Sequence, residues 1–304
     1  MPADPADLSA AARVKYFAAN LVLRAVIGAI GLLPYRRRIP TMGRLASRLA
    51  PLAGFDRRVR HNLSLARPDL SEAEVRRLCR AVPDNAGRYL IEMFSGEEFV
   101  ARAATSPIEG PGLAALEQAR ASGRPVILVT GHFGNYDAAR AALVGRGFDL
   151  GALYRRMANP YFNTFYVRAM QDIGGILFEQ GRRGMAEMVR HLRGGGIIAI
   201  VADLHAHGGR ELTFFGQPAV TSIVTAELAV KYDAVLIPLY AVRQPGGLDF
   251  RIELHAPIAH RDPETMMQQV NDDLEAMVRA HMGQWFWIHR RWKPWLDLGL
   301  QPEP

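Results

Sequence analysis

From Arg124 onward the chain alternates short apolar runs with stretches of helical periodicity, and this constrains the fold more than any other feature of the sequence. PVILVT (125–130) reads as a buried strand, followed by Asp149–Tyr154, Gly196–Asp203 and Ala234–Val242. Helical patterns separate these runs near 135–146, 160–172, 183–193 and 221–232, and Asn159-Pro160 supplies a helix start with proline at the first position. Strand and helix in alternation predict an α/β fold with a mostly parallel central sheet flanked by helices. Asp249–Ala256 alternates apolar and polar residues and reads as an edge strand, and 263–282 reads as a closing helix.

The texture before Arg124 is different. Residues 41–105 read as helical; Ser71 and Glu74 form a capping box, and Pro83 is expected to open a further helix. Residues 13–35 form an apolar stretch interrupted by Lys15 and Arg24. On a helical wheel Arg13, Asn20, Arg24, Gly28 and Gly31 fall near one stripe, a pattern expected of a helix lying in a membrane interface. Arg36, Arg37 and Arg38 follow at once, and such a cluster favours the anionic cytoplasmic leaflet. The expected organisation is an amino-terminal membrane-associating helix over 1–40 and one domain over 41–300. Within that domain, 41–120 is read as helical and 121–300 as the α/β core.

The single cysteine, Cys79, excludes a disulfide framework and any cysteine-based zinc cluster. Lys+Arg is 37 against Asp+Glu 30, a net +7, and only three of these cations are lysines. A basic, arginine-rich balance points to acidic partners and suits bidentate binding of phosphate or carboxylate. No serine stands in a G-x-S-x-G elbow and no lysine follows a glycine-rich loop. Gly145-x-Gly147 leads into a strand rather than a helix, so hydrolase, P-loop and dinucleotide-binding readings all lose support.

The segment richest in chemistry is Gly131-His132-Phe133-Gly134-Asn135-Tyr136-Asp137, where the first buried strand gives way to a helix. Groups at the carboxyl ends of strands in open α/β sheets are placed for binding and catalysis. His132 and Asp137 are five residues apart and would diverge on one continuous helix. Gly131 and Gly134 permit a turn between them, and Asn135 can cap the following helix. The expected arrangement has His132 in the loop as general base and Asp137 in the first helical turn holding its ring.

TGHFGNYD resembles the His-x4-Asp/Glu motif of the lipid A late acyltransferases, the lauroyl/myristoyl acyltransferases within the lysophospholipid acyltransferase superfamily. Further similar segments follow in the same order: Tyr154-Arg155 with Asn159-Pro160, Gly196–Asp203, Phe214-Phe215-Gly216 with Thr221, and QWFWIHRRWK over Gln284–Lys293. VRHNLSLARPDLSEAEVRRL (59–78) is similar to the family's amino-terminal helical region, so the resemblance covers most of 10–295. Two positions depart from it: Asp137 stands where Glu is frequent, and Leu204 follows Asp203 where a polar residue is usual.

The resemblance implies fatty acyl transfer from acyl carrier protein to a hydroxyl of a lipid A precursor, without cofactor or metal, on the cytoplasmic face of the inner membrane. A glycerophospholipid or another glycolipid is the alternative acceptor. In this reading Arg155 faces the oxyanion of the tetrahedral intermediate. Asp203 holds Arg155 or its loop, and Asn135 contacts substrate. Asp203, His205 and His207 form a D-x-H-x-H pattern open to a metal reading, which the flanking Gly208-Gly209 loop disfavours. The tryptophans at 285, 287, 292 and 295 interleave with Arg290, Arg291 and Lys293. That pattern suits a membrane interface and an anionic head group, with the aromatics partly buried and the cations near phosphate. Nucleic acid competes for such basic-aromatic text, but no nucleic-acid-binding signature accompanies it. A non-catalytic membrane or nucleic-acid binding protein is the remaining rival.

Overall fold

Seven strands form one sheet in the computed structural model, which describes residues 8–292. They are β1 (Ile108–Glu109), β2 (Val126–Thr130), β3 (Leu150–Tyr154), β4 (Ile176–Glu179), β5 (Ile197–Val201), β8 (Val235–Arg243) and β9 (Phe250–Leu254). Their spatial order is β1-β9-β8-β2-β5-β3-β4, with every pair parallel except β8 with β9. β6 (Arg210–Phe214) and β7 (Gln217–Thr221) form a separate antiparallel hairpin. The mostly parallel α/β sheet expected from the alternation is therefore present.

β2 shows why these residues make a central strand. All five of its positions are buried, as a strand covered on both faces requires. Val126 and Leu128 share a core with Ala138, Ala141 and Ala142 of α7 (Tyr136–Gly145). Ile127 and Val129 point the other way, into a core with Ala226 of α10 (Val224–Lys231) and Met266 of α11 (Pro263–Ala280).

Three expectations need correction. Asp249–Ala256 is not at an edge, because β9 lies between β8 and the two-residue β1. Pro83 opens no helix: it is buried inside α4, which runs unbroken over Glu72–Met93. Close packing on α2 (Tyr35–Leu49) carries α4 past the missing N–H, with glycines at the crossing. A Cβ on Gly87 would come within 2.7 Å of the Met42 carbonyl oxygen, and one on Gly43 within 2.5 Å of an Asp84 carboxylate oxygen. The third concerns the polar stripe of α1 (Ala10–Gly31). It turns partly inward, with Asn20 buried beside Ile27 and Ile30, while Arg24 stacks over Phe165 at 4.7 Å.

The outward side of α1 is apolar instead: Val14 is 69% exposed, Val22 65% and Leu32, just past its end, 88%. α1 packs along α8 (Pro160–Ile173), where Asn159 donates to the Tyr16 carbonyl at 2.8 Å and Phe17 meets Tyr161 edge-on. The capping box at Ser71/Glu74 and the Asn159-Pro160 helix start are both formed.

Candidate active site

β2, β5 and β3 are neighbours, and their carboxyl ends gather three residues of interest. Thr130 pairs with Val201 at the last rung between β2 and β5. His132 and Asp203 each lie two residues beyond that rung, so strand register alone brings them together. The His132 ring Nδ1 is 2.7 Å from Asp203 Oδ1, and the His132 backbone N–H donates to Asp203 Oδ2 at 2.8 Å. The indole N–H of Trp285 donates to the same Oδ2 at 2.8 Å. A carboxylate only accepts, so the ring donates from Nδ1 and its Nε2 is left as the lone-pair nitrogen.

Asp203 is almost wholly buried, whereas the His132 side chain is 24% exposed. Burial opposes ionisation of Asp203. The adjacent His132 ring, its two donated hydrogen bonds and nearby His289 outweigh burial and hold the carboxyl well below the usual carboxylate range. The site thus pairs a buried acceptor with an imidazole that reaches the surface.

Glycines shape this loop. A Cβ on Gly131 would come within 3.0 Å of Asp203 Oδ2, and one on Gly134, at φ +56°, would run into the Ala241 carbonyl. The carboxyl-terminal segment closes over it. Phe133 bridges to Trp285, Gly134 N–H donates to the Gln284 carbonyl at 2.9 Å, and Phe286 N–H to the His132 carbonyl at 2.9 Å. His289 packs 4.4 Å from the His132 ring. Burial, then the neighbouring His132, lowers His289 to a pKa of about 4, so it is neutral near pH 7.

Asp137 does not meet His132. It accepts from Tyr89 at 3.0 Å and lies 2.9 Å from Arg140 Nη2, both on the inner side of α7. The Tyr136 hydroxyl, 2.7 Å from that of Tyr89, continues this buried network, and the Tyr136 ring stands edge-on to His132 at 5.9 Å. Starting a helix at Tyr136 turns Asp137 away from the loop, so the carboxylate on the His132 ring is Asp203 and the expected pairing with Asp137 is corrected.

A family model described as bacterial lipid A biosynthesis acyltransferase matches residues 9–294. The chain belongs to that family. Among curated relatives, it is 26% identical to the lipid A biosynthesis acyltransferase of Haemophilus influenzae over 180 residues, 58% of this chain and 56% of that protein. It is 25% identical to the lipid A biosynthesis myristoyltransferase of Escherichia coli over 307 residues, 95% of this chain and 90% of that one. The phosphatidylinositol mannoside acyltransferase of Mycobacterium tuberculosis is 24% identical over 185 residues, 60% and 58% of the two chains.

The other residues singled out in this acyltransferase are placed unevenly. Arg155 is exposed just past β3, on the same sheet end as His132 and Asp203. Asp203 does not hold it, being committed to His132 and Trp285. Asn135, expected at substrate, is buried: its oxygen caps α7 through the N–H groups of Asp137 and Ala138, and its amide donates to Glu92 at 2.7 Å. Arg291, expected near phosphate, is also buried, donating to the Val220 carbonyl at 2.9 Å and Thr221 Oγ1 at 2.6 Å. Burial lowers its pKa to about 10. Both side chains serve the scaffold. Arg290 is exposed, and Lys293 and Trp295 lie outside the described residues. His205 and His207 meet edge-to-face at 5.1 Å, and no group of three potential metal ligands occurs among the described residues.

The sequence reading missed Trp285 and His289 as parts of the site. Both stand in the aromatic stretch, but only the folded chain, through the Phe133–Trp285 bridge and its neighbouring hydrogen bonds, reveals that this stretch folds back on the His132 loop.

Proposed function

We propose that the protein transfers a fatty acyl group from acyl carrier protein to a hydroxyl of a lipid A precursor, with His132 as general base and Asp203 as its orienting partner. The observation that carries this reading is the His132–Asp203 contact at the carboxyl ends of two adjacent parallel strands. The acceptor hydroxyl gives its proton to His132 Nε2 as its oxygen attacks the thioester carbonyl. Asp203 fixes the ring through Nδ1–H and stabilises the imidazolium. Arg155 faces the oxyanion. Collapse of the tetrahedral intermediate breaks the C–S bond, and the departing sulfur takes the proton back from His132. Arg290 and Lys293 remain candidates for the head group.

Residues 1–40 anchor this reading to the membrane. The outward apolar face of α1, followed by Arg36 and Arg37, suits the anionic cytoplasmic leaflet of the inner membrane, with 41–300 as the catalytic domain. Similarity to a phosphatidylinositol mannoside acyltransferase favours a second acceptor of the same chemistry, a phosphorylated glycolipid.

The test is incubation of the purified enzyme with acyl-carrier donors and a panel of lipid A precursors, phosphatidylinositol mannosides and glycerophospholipids, read by mass spectrometry. His132→Ala should abolish transfer, and Asp203→Asn should lower kcat by about 10²–10⁴-fold, the usual worth of a positioned base. Asp137→Asn should retain the His132–Asp203 contact and lose stability instead. Wild-type turnover by Asp203→Asn would overturn the pairing, and transfer to none of the acceptors would overturn the activity.

A further inference from the structure

The positive charge of this protein is local. Residues 36–88 hold 13 arginines against five acidic residues, a net +8, while the whole chain carries only +7, so everything outside that region sums to −1. The region is the helical layer of α2, α4 and α3 (Phe55–Ala66). Gly43 and Gly87 let α2 and α4 touch at their crossing; beyond it the helices leave a groove of about 650 Å³. Small residues, Ser47 and Ala73, lie between walls formed by Arg44 and Arg48 of α2 and Arg76, Arg77 and Arg80 of α4. The acidic residue lining it, Asp84, is already tied to Arg88 at 2.5 Å. Arg76 meets Glu72 on its own helix, an exposed pair of little energetic weight.

We infer that this groove docks an acidic helix of the acyl carrier protein, an inference that rests on the proposed donor. Three features favour a helix over a flat bilayer or a single phosphate. The cations stand on two helices that border one open groove, whereas lipid head groups present a plane. They repeat at one-turn intervals, 44/48 on one wall and 76/80 on the other, the spacing at which a partner helix offers its own carboxylates. The lining on α4 runs from Ala73 to Asp84, about 16 Å of helix axis, or three turns. The groove also leads to the site. Ala81, which lines it, lies 3.1 Å from where a Cβ on Gly283 would stand, and Asn85, one turn on, donates to the carbonyls of Gly134 and Gln284 at 3.3 Å. A field of one sign raises the encounter rate with a partner of opposite charge and falls with salt.

The test compares two donors with one enzyme: acyl-acyl carrier protein, and the same acyl group as a thioester of pantetheine. The triple variant Arg44→Ala/Arg77→Ala/Arg80→Ala should raise KM for the carrier-bound donor about tenfold or more and flatten its salt dependence. KM for acyl-pantetheine, KM for the acceptor and binding to anionic vesicles should stay at wild-type values. The triple arginine-to-lysine variant should keep most of the carrier affinity and controls for folding. An unchanged carrier KM in folded triple-alanine variant overturns the inference. So does a raised acceptor KM, which would give the groove to a phosphorylated head group, or lost vesicle binding, which would give it to the membrane. Failure of wild-type enzyme to use any carrier-bound donor, while turning over acyl-pantetheine, overturns the proposed donor instead.

Discussion

Asp203 receives three donors from His132 and Trp285 while buried, and His289 packs edge-on against the His132 ring with no charge of its own near pH 7. This makes His289 a gauge of the pocket. Its folded pKa of about 4 lies below the ordinary 6.5, so the unfolded chain binds the proton first as pH falls. The stabilising effect of neutral His289 is complete above pH 6.5 and is lost between 6.5 and about 4, on the order of 3 kcal/mol for a shift of this size. Asp203, also depressed, adds loss in the same direction at lower pH. Thermal melts from pH 7 to 4 should show a steep fall in Tm for the wild type and a shallower one for His289→Phe. Equal slopes would show that His289 is not held neutral by its burial. The sequence made His132 legible, because a histidine at a strand end stands out. The acid was not legible: Asp137 is near in sequence, whereas Asp203 is near only once β5 lies beside β2, and strand order is not written in one sequence.

At the scale of elements, α4, α7 and β8 are held together by a buried ion pair that no sequence pattern announced. Arg243 at the end of β8 grips the fully buried Glu92 of α4 through its two Nη atoms, one at 2.7 Å, and its Nε donates to Asn85 at 2.9 Å. Glu92 in turn accepts from Asn135, the cap of α7. Removing one partner of such a pair leaves an uncompensated buried charge, so Glu92→Leu should cost about 3–5 kcal/mol in denaturant unfolding. A loss below about 1 kcal/mol would mean that Arg243 finds another partner or water. The strands and helices themselves were readable from periodicity within a few residues, since β2, β3, β5 and β8 are largely apolar runs with few exposed positions. What escaped was short or conditional. β1 has only two residues, and β4 (ILFE) is partly exposed. The β6–β7 hairpin turns at Phe215, an unusual residue for φ +54°. Pro83 looked like a boundary because packing against α2 cannot be seen from α4 alone.

Across the whole molecule two surfaces differ in kind: the apolar outer side of α1 and the arginine-rich layer of α2 to α4. Each large apolar side chain removed from water contributes about 1.5–3 kcal/mol. The pair Leu21→Glu and Val22→Glu, both on the outer side of α1, should therefore weaken partitioning onto anionic vesicles by roughly 100-fold or more. Sedimentation with liposomes checks this, and unchanged partitioning would remove α1 from the membrane contact. The apolar stretch and its flanking arginines were visible in the sequence, but which side of α1 faced outward was not, because Arg24 lies over Phe165 of α8 and Asn20 is buried.

The carboxyl-terminal strap has a temporal consequence. Trp285 and His289 reach the His132–Asp203 pair, so the pocket is assembled from segments made more than 150 residues apart in the case of His132 and Trp285. A ribosome-bound nascent chain halted before residue 285 holds His132 and Asp203 but lacks the indole that steadies them, and it leaves the hairpin aromatics Phe214 and Phe215 uncovered. Competence therefore arrives late in synthesis, long after α1 has emerged.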